Sequence, residues 1–254
     1  MSPFLLMDYA PAHYFPPNTG APRGVGSHPH RGIETVTIAY KGRVEHHDSS
    51  GGGGIIAEGD VQGMTSGSGI LHKEYHEKKF SKKGGDMQMV QLWVNLPAKD
   101  KMTAPKYQNL NKKNITKVEL EDNSGTINII AGQFENHKGP ASTFSPLNLF
   151  NINLNKGKGT SLNLPKEYNT GLLITKGSVT INNTEKAPTN HFVLFQNDGT
   201  EFTIRADEDA TILMLSGEPI DEPIASYGPF VMNTNAEIRQ TIDDFNSGKF
   251  GYLD

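Results

Sequence analysis

The 254-residue chain contains no cysteine, one tryptophan and no long apolar run. Without cysteine there can be no disulfide, iron–sulfur cluster, thiolate zinc site or cysteine nucleophile, so any metal must be held by histidine and carboxylate. No stretch approaches the roughly 18 consecutive apolar residues of a membrane-spanning helix, and residues 1–10 lack the basic start of a signal peptide. We expect a soluble, cytoplasmic protein without a membrane partner, or a nuclear one in a eukaryotic source.

The charge balance excludes another class of protein. The 24 Lys and Arg residues are outnumbered by 28 Asp and Glu residues, which gives a net charge of -4, whereas a general nucleic-acid binder needs a basic face. The short basic run formed by Lys78, Lys79, Lys82 and Lys83 is typical of a solvated surface, with an anionic partner as the alternative. We therefore expect no direct contact with nucleic acid.

The sequence predicts an all-β fold in two domains. Short β-branched and aromatic runs are separated by Gly, Asn, Asp and Pro about every ten residues, a spacing typical of barrels and sandwiches. Residues 98–123 are polar and rich in Lys and Asn, so we place the domain boundary near residue 120, giving domains 1–120 and 121–254. Two similar strand, Lys-Gly, strand phrases, at 37–44 and 173–179, are compatible with a duplicated barrel.

One helix is predicted near the C-terminus, within the second domain. Thr234 and Glu237 have the spacing of a capping box, Ile238 and Ile242 fall on one face, and Gly248 follows at the expected end. We expect this helix to close a barrel by ordinary packing.

Histidine is concentrated in two same-face pairs. His28 and His30 stand two apart just before a predicted strand, and His72, Glu74 and His76 share one face of a later extended segment. Two strands that each present such a pair can surround a divalent first-row metal with open coordination positions. The alternative is that each pair is merely solvated or part of a surface turn.

The other histidines give weaker signals. His46 and His47 are adjacent in a predicted strand and cannot both face one ion. The four glycines of 51–54 have no following Lys-Ser or Lys-Thr, so we interpret them as a flexible hairpin tip rather than a phosphate loop. His137 and His191 are isolated and are expected to be structural.

Several long phrases resemble the pirin family of the cupin superfamily. They are HPHRGIETVT (28–37), GDVQGMTSGSGILHKE (59–74), VQLWVNLPAKDKM (90–102), GPFVMNTNAEI (228–238) and SGKFG (247–251). The resemblance implies two cupin β-barrels packed face to face, with one non-haem metal in the N-terminal barrel and none in the C-terminal barrel.

The resemblance also implies the ligands. They fall on His28, His30, His72 and Glu74, with His76 as a less favoured ligand or a neighbour of the ligands. The expected metal is Fe(II), although a site of imidazoles and a carboxylate also accepts Mn, Co, Ni, Cu or Zn. Gly63 stands where the family typically has Trp, which would open the pocket wall.

The implied activity is that of a quercetin 2,3-dioxygenase, in which O2 cleaves the heterocyclic ring of a flavonol with release of carbon monoxide. Glu74 is then the candidate general base. The expected partners are a flavonol-like substrate and O2, with the protein acting as a monomer. The alternative is a non-enzymatic, metal- and redox-sensing protein that binds a transcription factor or a metabolic enzyme.

Overall fold

The computed structural model describes all residues, 1–254, and consists mostly of antiparallel strands, as the short β-branched and aromatic runs predicted. The contacts divide the chain into two units. The first unit comprises Phe4–Lys112 and Ile220–Asp254, and the second comprises Met1–Pro3 and Lys113–Pro219.

The first unit contains two main sheets. Its elements are β1 (Phe4–Phe15), β2 (Gly24–His30), β3 (Ile33–Lys41), β4 (Arg43–Asp48), β5 (Gly53–Ala57), β6 (Val61–Thr65), β7 (Ile70–His76), α1 (Lys78–Lys83), β8 (Gly85–Asn95), a 3₁₀ turn (Ala98–Asp100) and β9 (Lys106–Leu110). The strand orders are β1-β8-β3-β6-β9 and β2-β7-β4-β5. The four lysines of the basic run lie on or at the ends of the short helix α1, none of whose residues is buried.

The chain passes from one sheet to the other at Lys41-Gly42, between β3 and β4. Gly42 has φ +80°, and a Cβ at this position would lie 2.4 Å from Sδ of Met87. The turn therefore requires glycine both for its backbone conformation and for the close approach of Met87.

The second unit repeats the arrangement with an apolar interior. Its strands are β10 (Thr116–Glu119), β11 (Gly125–Ala131), β12 (Gln133–Phe134), β13 (His137–Lys138), β14 (Leu147–Leu154), β15 (Gly159–Asn163), β16 (Asn169–Lys176), β17 (Ser178–Ile181), β18 (Glu185–Pro188), β19 (Phe192–Leu194), β20 (Glu201–Ala206) and β21 (Ala210–Gly217), with 3₁₀ turns at Lys112–Asn114, which spans the boundary between the units, and Glu121–Asn123. The main sheets run β10-β11-β14-β21-β16-β19 and β15-β20-β17-β18. A continuous buried cluster that includes Phe150, Leu172, Ile204 and Met214 draws side chains from both sheets.

The C-terminal segment corrects the predicted domain composition. It contains β22 (Ala225–Tyr227), β23 (Phe230–Met232) and α2 (Asn235–Asn246), and the capping box of Thr234 and Glu237 is formed as predicted. We expected α2 to close the second domain. Instead, its Ile238 packs in one cluster with Phe230 and Phe250, and the partly buried Leu71 packs against this cluster, all within the first unit. The domain boundary was predicted near residue 120, and in the structure the two units divide between residues 112 and 113.

Polar contacts hold this C-terminal segment to the first unit. Arg31 donates to Asp244 at 2.9 Å, and both side chains are buried. The buried ammonium of Lys101 donates to the carbonyls of Gly32 and Val231 and to Oδ1 of Asn95 at 2.8–2.9 Å. The segment is therefore fixed beside residues 31 and 32, directly after His30.

Neither helix of the structure has the length and apolar character needed to span a membrane.

Candidate metal centre

Three neighbouring strands, β2, β7 and β4, carry the clustered histidines of the interior together with Asp48 and Glu74. His28 of β2 pairs with His72 of β7, and on the other side of β7 the partners of His72 and Glu74 are Asp48 and His46 of β4. Because side chains alternate along a strand, His72 and Glu74 both point inward and are buried. The register of the sheet therefore assembles residues that lie far apart in the sequence.

The imidazoles of His28, His30 and His72 form one cluster. Their ring centroids are 4.2–5.0 Å apart, and one nitrogen from each ring lies within 4.8 Å of the others. His28 is held by a 2.8 Å hydrogen bond between its Nδ1 and the carbonyl of Gly26. If Nδ1 carries the proton, Nε2 keeps a free lone pair.

The buried nitrogens of this cluster lack partners. Neither ring nitrogen of His30, nor Nε2 of His72, has a partner in good hydrogen-bond geometry, although both side chains are almost completely buried; the backbone of Pro229 lies near the His30 ring. Burial, followed by the charge of His28, lowers the pKa of His30 to about 4. Burial and the neighbouring imidazoles also lower the pKa of His72. Both rings are thus neutral near pH 7, the form that binds metals, and their unpaired buried nitrogens are suited to a metal ion.

Glu74 lies in a set of hydrogen-bond donors. Oε1 accepts from Nε2 of Gln62 at 2.6 Å and from the hydroxyl of Thr37 at 3.3 Å, and Oε2 accepts from Nε2 of Gln91 at 2.5 Å. Burial alone would raise the pKa of Glu74, but the imidazole of His46, whose Nδ1 lies 3.9 Å from Oε1, and the hydrogen bond from Gln91 hold it below its usual range. Glu74 is therefore a carboxylate at neutral pH.

His46 and Asp48 were not predicted as members of this site. His46 is completely buried, with Nε2 at 3.2 Å from Oδ2 of Asp48 and Nδ1 at 3.4 Å from Nδ1 of His72. Burial lowers the pKa of His46, but the carboxylates of Asp48 and Glu74 raise it overall. His46, His72 and Glu74 also place ligand atoms within 4.8 Å of one another, so His72 belongs to two overlapping groups.

The remaining histidines lie elsewhere. His76 packs against Phe15 and Phe80, with ring centroids 4.7 and 5.5 Å away, rather than joining the imidazole cluster. His47 is on the outer face of β4, where it contacts Glu45 at 2.9 Å. His137 and His191 are exposed residues of the second unit, and neither group of ligand atoms includes a residue of that unit.

A cavity of about 470 Å³ opens next to Glu74. Its wall is largely apolar, with polar atoms from Glu74, Gln91, Asp8 and His13. Other lining residues are Phe15, Val25, Val44, His76, Met87 and Met89. The interior thus joins a polar cluster to an apolar space large enough for a small aromatic molecule.

Two expectations about glycines are revised. Gln62 points to Glu74, so Gly63, its neighbour in β6, faces away from the interior, and a Cβ there would approach only Gln108, at 3.8 Å. Its lack of a side chain therefore does not open the pocket. In the glycine-rich turn, Gly52 donates its N–H to Oδ1 of Asp48 and leaves no room for a Cβ, so the turn packs closely on that carboxylate.

Comparison with known proteins decides the family. The family model "Pirin" matches residues 1–94, and the model "Pirin C-terminal cupin domain" matches residues 149–251. The chain is 49% identical over 250 residues to a protein of Pseudomonas aeruginosa named "Putative quercetin 2,3-dioxygenase PA2418", covering 98% of this chain and 87% of that protein. The chain belongs to the pirin family. The two units are accordingly cupin domains, and the predicted fold class is confirmed.

Other pirins resemble the chain over nearly its full length. Pirin-like protein 2 of Arabidopsis thaliana is 35% identical over 260 residues, covering 99% of this chain and 76% of that protein. A crystal structure titled quercetin 2,3-dioxygenase, from Acinetobacter baumannii, is 49% identical, with a TM-score of 0.94 over 100% of this chain and 88% of that one. The pirin YhhW of Escherichia coli, solved in complex with nickel(II), has a TM-score of 0.64 over 82% of this chain and 81% of that one, and at 24% identity it shows the shared fold alone.

Proposed function

We propose that the first unit binds one divalent metal, Fe(II), through His28, His30, His72 and Glu74, and that the protein is a quercetin 2,3-dioxygenase. The observation that carries the proposal is the group of buried, unpartnered imidazole nitrogens beside an ionised carboxylate. Three imidazoles and a carboxylate suit a first-row metal that keeps open positions. The 49% identity to a solved quercetin 2,3-dioxygenase supports the choice of reaction.

The cavity supports a flat aromatic substrate. Its apolar walls, which include Val44, Met87 and Met89, would bury the rings of a flavonol and exclude water, while Glu74 and Gln91 meet polar groups at one end. When bound, the metal supplies Lewis acidity to the substrate oxygen and a redox partner for O2.

The residues of the chain have separate tasks in this reaction. Glu74, ionised in the resting protein, takes the proton of the flavonol 3-hydroxyl, which leaves the substrate as an electron-rich oxyanion. Gln62 and Gln91 each donate to one carboxylate oxygen and keep Glu74 oriented while its charge changes. Both atoms of O2 add to the oxyanion, the heterocyclic ring is cleaved, and one carbon monoxide molecule is released. The atoms of flavonol and O2 are thereby all accounted for in the two products.

The test is aerobic turnover of quercetin by iron-loaded protein of verified metal content. We expect loss of the flavonol absorbance with one carbon monoxide released per flavonol consumed. Glu74→Gln should reduce turnover by about 100-fold or more, because it removes the base.

Glu45→Gln is the matched control, since Glu45 carries a carboxylate on the outer face of the adjacent strand. Turnover in this variant should equal that of the wild type. An iron-loaded protein that leaves the flavonol unchanged would contradict the enzymatic proposal and favour the metal-sensing alternative.

A further inference from the structure

His46 and Asp48 lie inside the first barrel but are not among the four proposed ligands. Both side chains are buried, at 0% and 5% exposure, and His46 stacks on Tyr107 with ring centroids 5.0 Å apart. A histidine and a carboxylate buried together beside three other imidazoles require a reason, because each carries polar atoms that must be satisfied.

The hydrogen bonds of Asp48 fix which of its oxygens is free. Oδ1 accepts from the N–H of Ser50 at 2.9 Å, the hydroxyl of Ser50 at 2.6 Å and the N–H of Gly52 at 2.9 Å. Oδ2 is left for Nε2 of His46, at 3.2 Å. Since a carboxylate only accepts, Nε2 of His46 must carry the hydrogen.

The position of this hydrogen on His46 determines where His72 carries its own hydrogen. Despite its burial, the pKa of His46 is raised by the carboxylates of Asp48 and Glu74. Above that pKa the ring is neutral, keeps its hydrogen on Nε2 and presents a lone pair at Nδ1, which lies 3.4 Å from Nδ1 of His72 and 3.9 Å from Oε1 of Glu74. Two facing Nδ1 atoms need one hydrogen between them, so it must belong to His72. Nε2 of His72 is then unprotonated, and it is the atom of that ring that has no partner in the structure.

We propose that Asp48 and His46 form a positioning relay that holds His72 in the tautomer that binds the metal through Nε2. The inference rests on the proposed metal site, and it extends the usual pairing of a ligand histidine with a carboxylate by one additional imidazole. His46 acts only through His72 and is a positioning residue. In the competing arrangement His46 is itself a ligand, together with His72 and Glu74.

Asp48→Asn tests the relay without changing its shape. The three donors around Oδ1 keep the amide oxygen in that place, so the NH2 group must face Nε2 of His46. His46 then has to carry its hydrogen on Nδ1, where it would face the hydrogen on Nδ1 of His72. The two rings can avoid this contact only if His72 changes its tautomer. We expect the metal affinity to fall by about 10- to 100-fold, measured by chelator competition, with the fold unchanged by circular dichroism.

Strand β4 offers a matched control. On its outer face Glu45 contacts Nε2 of His47 at 2.9 Å, the same pair of groups at the same spacing but away from the cluster. Glu45→Gln should leave the metal affinity within about twofold of the wild type. Equal affinities for Asp48→Asn and Glu45→Gln would overturn the relay.

Nitrogen-15 NMR of the metal-free protein reads the tautomers directly. At a pH above the raised pKa of His46, the wild type should show His46 protonated at Nε2 and His72 at Nδ1, with both reversed in Asp48→Asn. A wild-type His72 protonated at Nε2 would refute the inference.

Pulsed EPR of the copper(II)-loaded protein counts the imidazole ligands and separates the two roles of His46. Three imidazoles in both the wild type and His46→Gln support the relay, because the Gln amide oxygen can still accept from His72. Four imidazoles in the wild type would place His46 on the metal and overturn it. Neither measurement depends on flavonol turnover, so failure of the relay is distinguishable from failure of the proposed activity.

Discussion

In the first unit β7 lies between β2 and β4, and in the second unit β20 lies between β15 and β17, so the two interiors can be compared by strand register. The Lys-Gly turns at Gly42 and Gly177, with φ of +80° and +74°, set the alignment. The matching positions of the two units are His28 and Leu162, His46 and Ile181, His72 and Phe202, Glu74 and Ile204, Thr37 and Leu172, Gln62 and Val193, and Gln91 and Met214.

Every compared position is polar in the first unit and apolar in the second. The apolar side chains belong to or pack against one buried cluster, where each contributes about 1.5–3 kcal/mol through burial. The first unit gives up that contribution and holds unpaired imidazoles and a cavity instead. One strand arrangement therefore supports either a packed core or a ligand site, according to about seven side chains.

The largest expected effect comes from giving the first unit a residue of the second. His72→Phe introduces the side chain found at Phe202 and removes the imidazole shared by both groups of ligand atoms. We expect the bound metal to fall from about one ion per chain to less than about a tenth, measured by elemental analysis after dialysis.

His191→Phe in the second unit is the control, because His191 is exposed and outside the cluster. It should retain the full metal content. Full metal content in His72→Phe would show that the polar interior is not the metal site.

The second largest effect is expected on the stability at acidic pH, in which the interiors of the two units should differ. Burial lowers the pKa of His30 to about 4, so between about pH 6.5 and pH 4 the unfolded chain binds a proton that the folded chain does not. The free energy of unfolding of the metal-free protein therefore falls as the pH falls through this window. A difference of about 2.5 between the two pKa values corresponds to roughly 3 kcal/mol from His30 alone.

His30→Leu introduces the residue found at Leu164, the matching position of the second unit. It should remove the part of the fall in unfolding free energy that comes from His30. Urea unfolding at pH 7 and at about pH 4, followed by the fluorescence of Trp93 in the first unit, measures it. An unchanged pH dependence in His30→Leu would mean that His30 is already charged or solvated in the folded protein.

The smallest expected effect is on the outer face of β6. Gly63 matches the exposed Leu194 of the second unit, and a Cβ there would meet nothing closer than 3.8 Å. Gly63→Leu should therefore leave metal affinity and quercetin turnover within about twofold of the wild type. A large loss of metal affinity or turnover would show that a side chain on this outer face disturbs the interior.

The same comparison shows what the sequence could predict. The β-branched and aromatic runs between Gly, Asn, Asp and Pro predicted the strands, and the two Lys-Gly phrases were compatible with the duplication, because both follow from local backbone preferences. The spacing of His28 and His30, and of His72 and Glu74, predicted that each pair shares one face. In the structure His28 and His30 place ligand atoms within 4.8 Å of His72, and Glu74 does so with His72 and His46.

Other features depend on contacts that spacing does not reveal. His46 was set aside because His47 adjoins it, although only His46 faces inward, and the informative pattern was His46 and Asp48, two apart. The helix α2 was assigned to the nearer domain in the sequence, whereas the ion pair of Arg31 with Asp244 joins residues 213 positions apart. Sequence distance carries no signal for such a contact.

The return of residues 220–254 to the first unit has a consequence for biosynthesis. The proposed ligands leave the ribosome early, but Asp244, which pairs with Arg31, and Val231, whose carbonyl accepts from Lys101, are synthesised only after the whole second unit. The unit that holds the ligand cluster can therefore complete its fold only after the second unit has been synthesised, whereas residues 113–219 of the second unit are consecutive in the chain. A nascent chain arrested near residue 219 would leave the guanidinium of Arg31 without Asp244, and metal capture should follow the synthesis of residues 220–254.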